Sequence, residues 1–504
     1  MSASVDPDRT EWDVIVVGGA AAGEVAAQYA TQFSGLSAVI VEKELVGGEC
    51  SYWACMPSKA LLRPVEVRAN AGDLSGLGVG AVDAAAVLGR RDVVVNHLDD
   101  ASQVRWALGA GIDVVRGRGR LDGARAVVVT GPGGGERRLT ARHAVVLDTG
   151  STPLVPPVPG LAEARPWTSR DVTNLHEIPA RVVLIGGGVV ACEAATWLRG
   201  LGAGEVTIVH RGSRLLARNE PFAGDLVADA LRASGVDVRL GVSAVKVRRD
   251  RVDDPGIGHV RGSEVTVHLS DGGTVVADEV VVATGRTPNS AGLGLESVGL
   301  TLGPGEPVPV DDHLTVPGVD GDWLYAIGDV TGRALLTHMG KYQARIAGTV
   351  IADRAAGRPL DDGPYSVHTD VVDDGRVPQV VFTDPEVGAV GLTEAEARDR
   401  GLDVEVVEYD LAQLAGTYVL RENYVGRAKL LVDRSADVVV GATFAGTGVA
   451  ELTHSATTAV VGRIPVPVLW HVVPSYPTVS EAWLRLLETL NAQRNAATVR
   501  PRRG

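Results

Sequence analysis

Twice along the 504-residue chain an apolar run breaks into a cluster of small residues and continues as a helix-like stretch. The first is DVIVVGGAAAG at 13–23, followed by EVAAQYATQF and then by SAVIVEKE at 37–44. The second is RVVLIGGGVVACEAATWLRGLG at 181–202, followed by EVTIVHRGSR at 205–214. A strand that turns through glycines into a helix, with another strand beyond, is the βαβ unit of dinucleotide-binding folds. Its first glycine permits the tight turn, its second position lets a pyrophosphate approach the backbone, and its third lets helix and strand pack closely. The helix N-terminus then offers free N–H groups and a favourable dipole to the anion. Two such units predict an α/β chain with two Rossmann-like domains.

Gly18-Gly19-Ala20-Ala21-Ala22-Gly23 reads as G-x-G-x-x-G with Ala20 at the second position. Glu42 ends the next strand, placed to accept from ribose hydroxyls. A plain tight turn is the alternative for this stretch. The second turn, Gly186-Gly187-Gly188-Val189-Val190-Ala191, is of the G-x-G-x-x-A type. An NAD site usually carries an acid near position 210, where this chain has His210 and Arg211, with Arg214 and Arg218 beyond. Arginine suits a 2′-phosphate, and the missing carboxylate removes a repulsive charge. NADP(H) is therefore expected, with NAD(H) the alternative. A solvated surface run is the plainer reading of the arginines.

Residues 121–149 alternate like a β-meander. VPPVPG at 155–160 marks a boundary, and from about Tyr365 strand-like runs give way to helical ones, an α+β third domain. The first 12 residues read as frayed, and RNAATVRPRRG at 494–504 as a mobile basic tail. The net charge of −14 argues against a general nucleic-acid surface. No apolar run reaches the roughly 18 residues of a membrane span. The start, MSASVDPDRTEW, lacks a signal-peptide pattern, so a cytoplasmic location is expected.

Three cysteines cannot make a disulfide framework for a chain this long. Cys50 and Cys55 lie close together, which in a reducing compartment favours a catalytic or metal-binding role over a structural one. No second Cys or His pair stands near to complete a zinc tetrahedron, so no metal site is expected. On an ideal helix the two thiols would point about 140° apart. Bridging them therefore needs an irregular chain around Cys50, which Gly47-Gly48 permits. Pro57 is compatible with a first helical turn, which puts Cys55 near a helix N-terminus where the dipole favours thiolate.

GGECSYWACMPSKALL at 47–62 resembles the redox-active motif of the class I pyridine nucleotide–disulfide oxidoreductases. That family includes dihydrolipoamide dehydrogenase, glutathione reductase and mercuric reductase. GGAAAG, Glu42-Lys43, GGGVVACE, ATGRTPN at 283–289, AIGD at 326–329 and FTDPE at 382–386 follow in the family's order. The resemblance implies an FAD domain over 1–155 and 285–360, an NADP(H) domain over 156–284, and a dimerisation domain over 361–504. It implies a homodimer whose active site is completed across the interface. Gly18, Ala20, Gly23, Glu42 and Lys43 would hold the ADP half of FAD, and Gly328 and Asp329 its ribityl–phosphate part. Gly48, Gly150, Gly285 and Arg286 would join the cofactor-binding set, with Gly186, Gly188, Arg211 and Arg218 on the second dinucleotide.

The same resemblance makes Cys55 the thiolate against the flavin and Cys50 the outer thiol that meets substrate. Lys59 and Glu193 resemble the ion pair beside the reactive flavin nitrogen, whereas Cys192 reads as a small buried hydrophobe. Electrons would pass from NADPH through FAD to the Cys50–Cys55 disulfide, and on to a small disulfide or related acceptor. The chain departs from the family at its end. Tyr476 stands where a His-Pro-x-x-x-Glu motif carries its proton-relay histidine, and Glu481 stands at the motif's acid. An unperturbed tyrosine, with a pKa of about 10, is a poor base at neutral pH. Glu481 is left to orient Tyr476 or to serve structure. His471 could substitute, though a structural histidine is the plainer reading. Mercuric reductases share the tyrosine, but they carry a vicinal cysteine pair near the C-terminus and no cysteine follows Cys192 here. Glu49 replaces a common threonine and is expected to raise the Cys50 pKa. A quinone or metal-ion reductase without a histidine relay is the second reading. A flavoprotein redox sensor that binds NADPH is the third.

Overall fold

The computed structural model describes residues 8–372 and 375–499. It divides into two units, one of Met1–Pro57, Asp92–Leu154 and Gly285–Asp373, the other of Ser58–Arg91, Val155–Thr284 and Asp374–Gly504.

In the first unit the leading apolar run forms the strand Glu11–Val17, parallel to Ala38–Glu42 on one side and to Glu136–Leu147 on the other. Ile112–Arg116 extends the sheet beyond Ala38–Glu42. The long strand Glu136–Leu147 does two jobs. Its first half pairs antiparallel with Ala126–Thr130, which pairs in turn with Arg118–Leu121, and its second half carries Leu324–Ala326 in parallel. The later segment thus rejoins the sheet beside the first glycine turn. The helix Ala21–Thr31 buries Ala22, Ala26, Ala27 and Ala30, side chains small enough for close packing. The helix Thr337–Ala355 lies against it through Gly348, where a Cβ would fall 2.6 Å from that of Tyr29.

Both ends of the chain are more ordered than the sequence reading had them. The first strand begins at Glu11, and Trp12 is fully buried with its indole N–H donating to Asp113 Oδ2 at 2.7 Å. One aromatic with a hydrogen-bond partner outweighs its polar neighbours. At the other end Glu481–Val499 is a helix, and Arg494 pairs with Glu405 at 2.5 Å and Asp437 at 2.7 Å. The basic residue there is an anchor rather than part of a mobile tail. Residues 500–504 of the expected tail, and 1–7 of the expected frayed start, lie outside the described residues.

In the second unit Arg181–Ile185 pairs in parallel with Glu205–His210 and with Glu279–Val282, and Val236–Leu240 follows Glu205–His210. Trp167, Trp197, Leu184 and Ile208 are buried in its core. A five-stranded antiparallel sheet runs in the order Gln379–Val381, Glu386–Gly391, Val438–Gly446, Arg427–Asp433, Val404–Asp410. Phe444 and Trp483 pack in its core, the latter from the C-terminal helix. The architecture is α/β with an α+β C-terminal portion. Among the described residues no helix is long and apolar enough to cross a membrane.

Candidate functional site

The first glycine turn is built around Asp148. Gly18 adopts a φ of +107°, and a Cβ there would lie 2.0 Å from the Asp148 carbonyl oxygen, so only glycine fits. The Gly23 N–H donates to Asp148 Oδ2 at 2.6 Å. Ala20 sits in extended backbone just before the helix, which explains why alanine is tolerated at the second position. Gly48 packs against Ala20, where its own Cβ would come within 2.7 Å. Glu42 is buried, and Oε2 accepts the Gly19 N–H and Oε1 the Glu44 N–H, both at 2.7 Å. Lys43 is exposed, 3.7 Å from Glu44.

Gly328, Asp329, Ser151 and Arg286 meet in the same unit. The Gly328 N–H donates to the buried Gln343 Oε1 at 2.7 Å, and Ser151 Oγ to Asp329 Oδ2 at 2.5 Å. Arg286 donates to Ser151 Oγ at 2.6 Å and to its carbonyl at 2.8 Å. Burial raises the Asp329 carboxyl above its ordinary value, against the pull of Ser151 and Arg286. Space is open beside Gly150 and Gly285, with nothing within 4 Å of a Cβ built on either. A turn that a Cβ would fill, a helix N-terminus and acidic acceptors at the strand end fit a bound adenine dinucleotide.

The two cysteines lie on separate helices. Cys50 is inside the short helix Gly48–Tyr52, the chain breaks at Trp53 with φ −133° and ψ 2°, and Cys55 opens the helix Cys55–Gly72. The irregularity that lets the sulfurs meet therefore falls between them, where Tyr52 and Trp53 are buried edge to face at 5.7 Å. Both cysteines are half-buried. The Cys50 thiol is held well above its ordinary pKa, first by its hydrogen bond with Cys55, then by burial and by the neighbouring Cys55 charge. Glu49, expected to cause this rise, is instead 3.8 Å from Arg286. Cys55 Sγ lies 3.3 Å from Thr337 Oγ1, a contact with no signal in the sequence.

In the second unit Lys59 Nζ reaches Glu193 Oε2 at 2.9 Å and Oε1 at 3.2 Å. Glu193 is buried and also accepts the Phe382 N–H at 2.9 Å, and Lys59 lies 4.8 Å over the Phe382 ring. Phe382 opens the FTDPE stretch but has no obvious chemistry of its own. At the second turn Gly186 has φ +134° and faces the Ala283 carbonyl, 2.2 Å from a Cβ built there, while Gly188 borders open space. His210 covers Gly187, whose Cβ would fall 2.5 Å from the ring. Burial, then Arg211, lowers the His210 pKa and favours the neutral ring. Arg211 and Arg218 are exposed, with no ion pair among the described residues. Cys192 is buried, its thiol pushed up by burial.

Tyr476 is 76% exposed, and Glu481 is buried at the start of the last helix. No hydrogen bond joins them among the described residues, so Glu481 does not orient Tyr476 within the chain. His471 is exposed. Among the described residues no group of His, Cys, Asp and Glu could hold a metal ion.

Two dinucleotide turns and a thiol pair at the head of a helix define a nucleotide-dependent dithiol oxidoreductase. Residues 12–349 match the family described as pyridine nucleotide-disulphide oxidoreductase, and residues 377–487 its dimerisation domain. The chain belongs to this family, whose members are flavoprotein oxidoreductases that use FAD and a pyridine nucleotide. It is 30% identical to a glutathione reductase of Burkholderia cepacia, over 95% of this chain and 99% of that one. It is 29% identical to a dihydrolipoyl dehydrogenase of Chlamydia muridarum, over 94% and 95%. The Cu(II) complex of the HOCl-induced flavoprotein disulfide reductase RclA from Escherichia coli is similar in structure. It has a TM-score of 0.79, 25% identity, and coverage of 95% of this chain and 99% of that chain.

Proposed function

We propose that the protein is an NADPH-oxidising, FAD-dependent reductase that passes electrons to the Cys50–Cys55 pair and from there to a small disulfide or a related acceptor. The observation that carries this reading is the cysteine pair itself, Cys50 in one short helix and Cys55 opening the next, close enough to share a hydrogen bond. Bound FAD supplies hydride acceptance from the nicotinamide and a two-electron path to a disulfide. Gly18, Gly23, Glu42, Gly328 and Asp329 hold it, in a domain drawn from 1–155 and 285–360. NADPH lies over residues 156–284, its 2′-phosphate met by Arg211 and Arg218, with no carboxylate at position 210 to repel it. Lys59 pairs with the buried Glu193, which keeps a positive charge in place.

Cys50 must lose its proton to attack. Cys55 Sγ, its hydrogen-bond partner, is the base at hand, and the proton it takes departs with the acceptor's second thiol when Cys55 closes the disulfide. The Cys50 thiolate then attacks one sulfur of the acceptor and releases the other as a thiolate. Cys55 closes on the mixed disulfide and expels the second thiol, which restores the Cys50–Cys55 bond. The exposed Tyr476 of the partner subunit completes this site in a homodimer built through residues 361–504. With three cysteines and no disulfide framework, the chain suits a reducing compartment, the cytoplasm.

A second reading, a metal-ion or quinone acceptor, is favoured by a tyrosine at the relay position and by a structurally similar reductase described as a Cu(II) complex. Anaerobic stopped-flow with NADPH tests the first. The native protein is expected to develop a long-wavelength thiolate–flavin band, and Cys55→Ser to lose it. A Cys55→Ser protein that keeps the band would overturn the reading. A steady-state screen with lipoamide, glutathione disulfide, quinones and metal ions separates the two. Quinone or metal turnover that survives Cys50→Ser supports the second.

A further inference from the structure

Asp148 has no place in the motifs that make the first turn recognisable, yet it is the residue the turn closes on. It is only 4% exposed. Its Oδ2 takes the Gly23 N–H at 2.6 Å, and its carbonyl oxygen fills the space where a Gly18 side chain would stand. Among the described residues no hydrogen bond reaches its Oδ1, which faces Gly328, 3.1 Å from a Cβ built there. One oxygen therefore stabilises the helix N-terminus while the other faces Gly328, between the two segments read as holding the two phosphates of FAD.

The surroundings are acidic. Glu24 comes from the helix Ala21–Thr31, Glu42 from the strand Ala38–Glu42, and Asp329 from the turn at Gly328–Thr331. The cations that answer them reach the outer members: Lys341 acts on Glu24, and Arg286 on Asp329. Burial, reinforced by the three acids, raises the Asp148 carboxyl well above its ordinary value, against the Gly23 hydrogen bond. A carboxylate here would repel a pyrophosphate. A carboxylic acid would keep Oδ2 for Gly23 and present an O–H to a phosphate oxygen.

We propose that Asp148 is a cofactor-site residue that must carry a proton for the dinucleotide's pyrophosphate to bind, so that flavin affinity falls as the medium becomes alkaline. The proposal rests on the reading of this turn as the FAD site. Linkage sets the size, up to about tenfold in affinity per pH unit above the point at which Asp148 ionises in the flavin-free protein.

The test is to titrate full-length protein, stripped of flavin, with FAD near pH 6 and pH 9. Flavin fluorescence reads the binding, and calorimetry in two buffers of different ionisation enthalpy reads proton uptake. Native protein is expected to bind about tenfold or more tightly at the lower pH and to take up about one proton at the higher. Asp148→Asn, whose amide mimics the neutral acid, is expected to lose both effects. Glu24→Gln is expected to keep both. The proposal fails if native affinity is the same at both pH values, if Asp148→Asn keeps the native dependence, or if Glu24→Gln abolishes it. If Asp148→Asn does not fold, the native and Glu24→Gln calorimetry still decides. Native protein that binds no FAD at either pH sinks the FAD reading itself, a separate result.

Discussion

At the scale of single residues, Glu24 carries a measurable cost. It lies in the first turn of the helix Ala21–Thr31, with Oε1 buried and lacking a hydrogen-bond partner. Burial raises its carboxyl from 4.5 to about 7, against the pull of Lys341. The folded chain holds this proton more tightly than the unfolded chain. Stability therefore falls as pH rises from about 4.5 to about 7, by about 3 kcal/mol in total. The favourable helix-dipole contact of an acid at this position is about 0.3–1 kcal/mol, too small to reverse the sign. Glu24→Gln is expected to stabilise the protein at pH 8 and to leave it nearly unchanged at pH 4.5, read as the shift in urea midpoint against the native chain. A shift equal at both pH values would rule out the burial argument. Neither this acid nor Asp148 stands out in the sequence. Their properties come from residues 24, 42, 148 and 329 meeting at one strand end, and no local pattern encodes that meeting.

At the scale of elements, the strand–turn–helix units were legible because each packs its own signal into some 30 consecutive residues. The Lys59–Glu193 pair was legible only through the family resemblance, since 134 positions separate its members. The break between the cysteines was misplaced because Gly47-Gly48 is the visible irregularity, whereas burial of Tyr52 and Trp53 makes the actual one. The second turn gives an element-level prediction. His210 occupies the end of its strand as a neutral ring over Gly187, and Arg211 and Arg218 are exposed beyond it, with no ion pair among the described residues. A hydrogen bond to a charged group contributes roughly 1.5–3 kcal/mol. Replacing both arginines with glutamine is therefore expected to lower kcat/KM for NADPH by about 10²-fold or more, and that for NADH by about threefold at most. Rates are read with a small redox dye as acceptor. An unchanged NADPH to NADH ratio would mean that these arginines are a solvated surface run.

At the scale of the whole molecule, uncovered apolar side chains occur along much of the chain, and two groups of them lie in the C-terminal portion. Tyr418, Val419 and Val425 are 79%, 65% and 60% exposed, and Val472, Val473 and Tyr476 are 60%, 84% and 76% exposed. The stretches are neighbours: Gly416 abuts the Thr478 backbone, and Gly448 lies between Leu420 and Val479. Both fall within residues 377–487, which match the dimerisation domain. Large uncovered apolar groups on one face mark a surface that another protein covers, and a second copy is the occupant argued above. In a two-fold contact each substitution acts twice, because the same patch appears on both subunits. Burying a valine side chain is worth roughly 1.5–3 kcal/mol, so Val472→Asp with Val473→Asp removes four such contributions and adds four charges. The double variant is expected to be a monomer by light scattering at concentrations where the native protein is a dimer. It should still bind FAD and pass electrons from NADPH to a small dye, since both turns lie within one chain. It should lose turnover of a small disulfide if, as proposed, the acceptor site is completed across the dimer interface. A monomer that reduced disulfides at the native rate would show that one chain holds the whole acceptor site, and Tyr476 would then need another role.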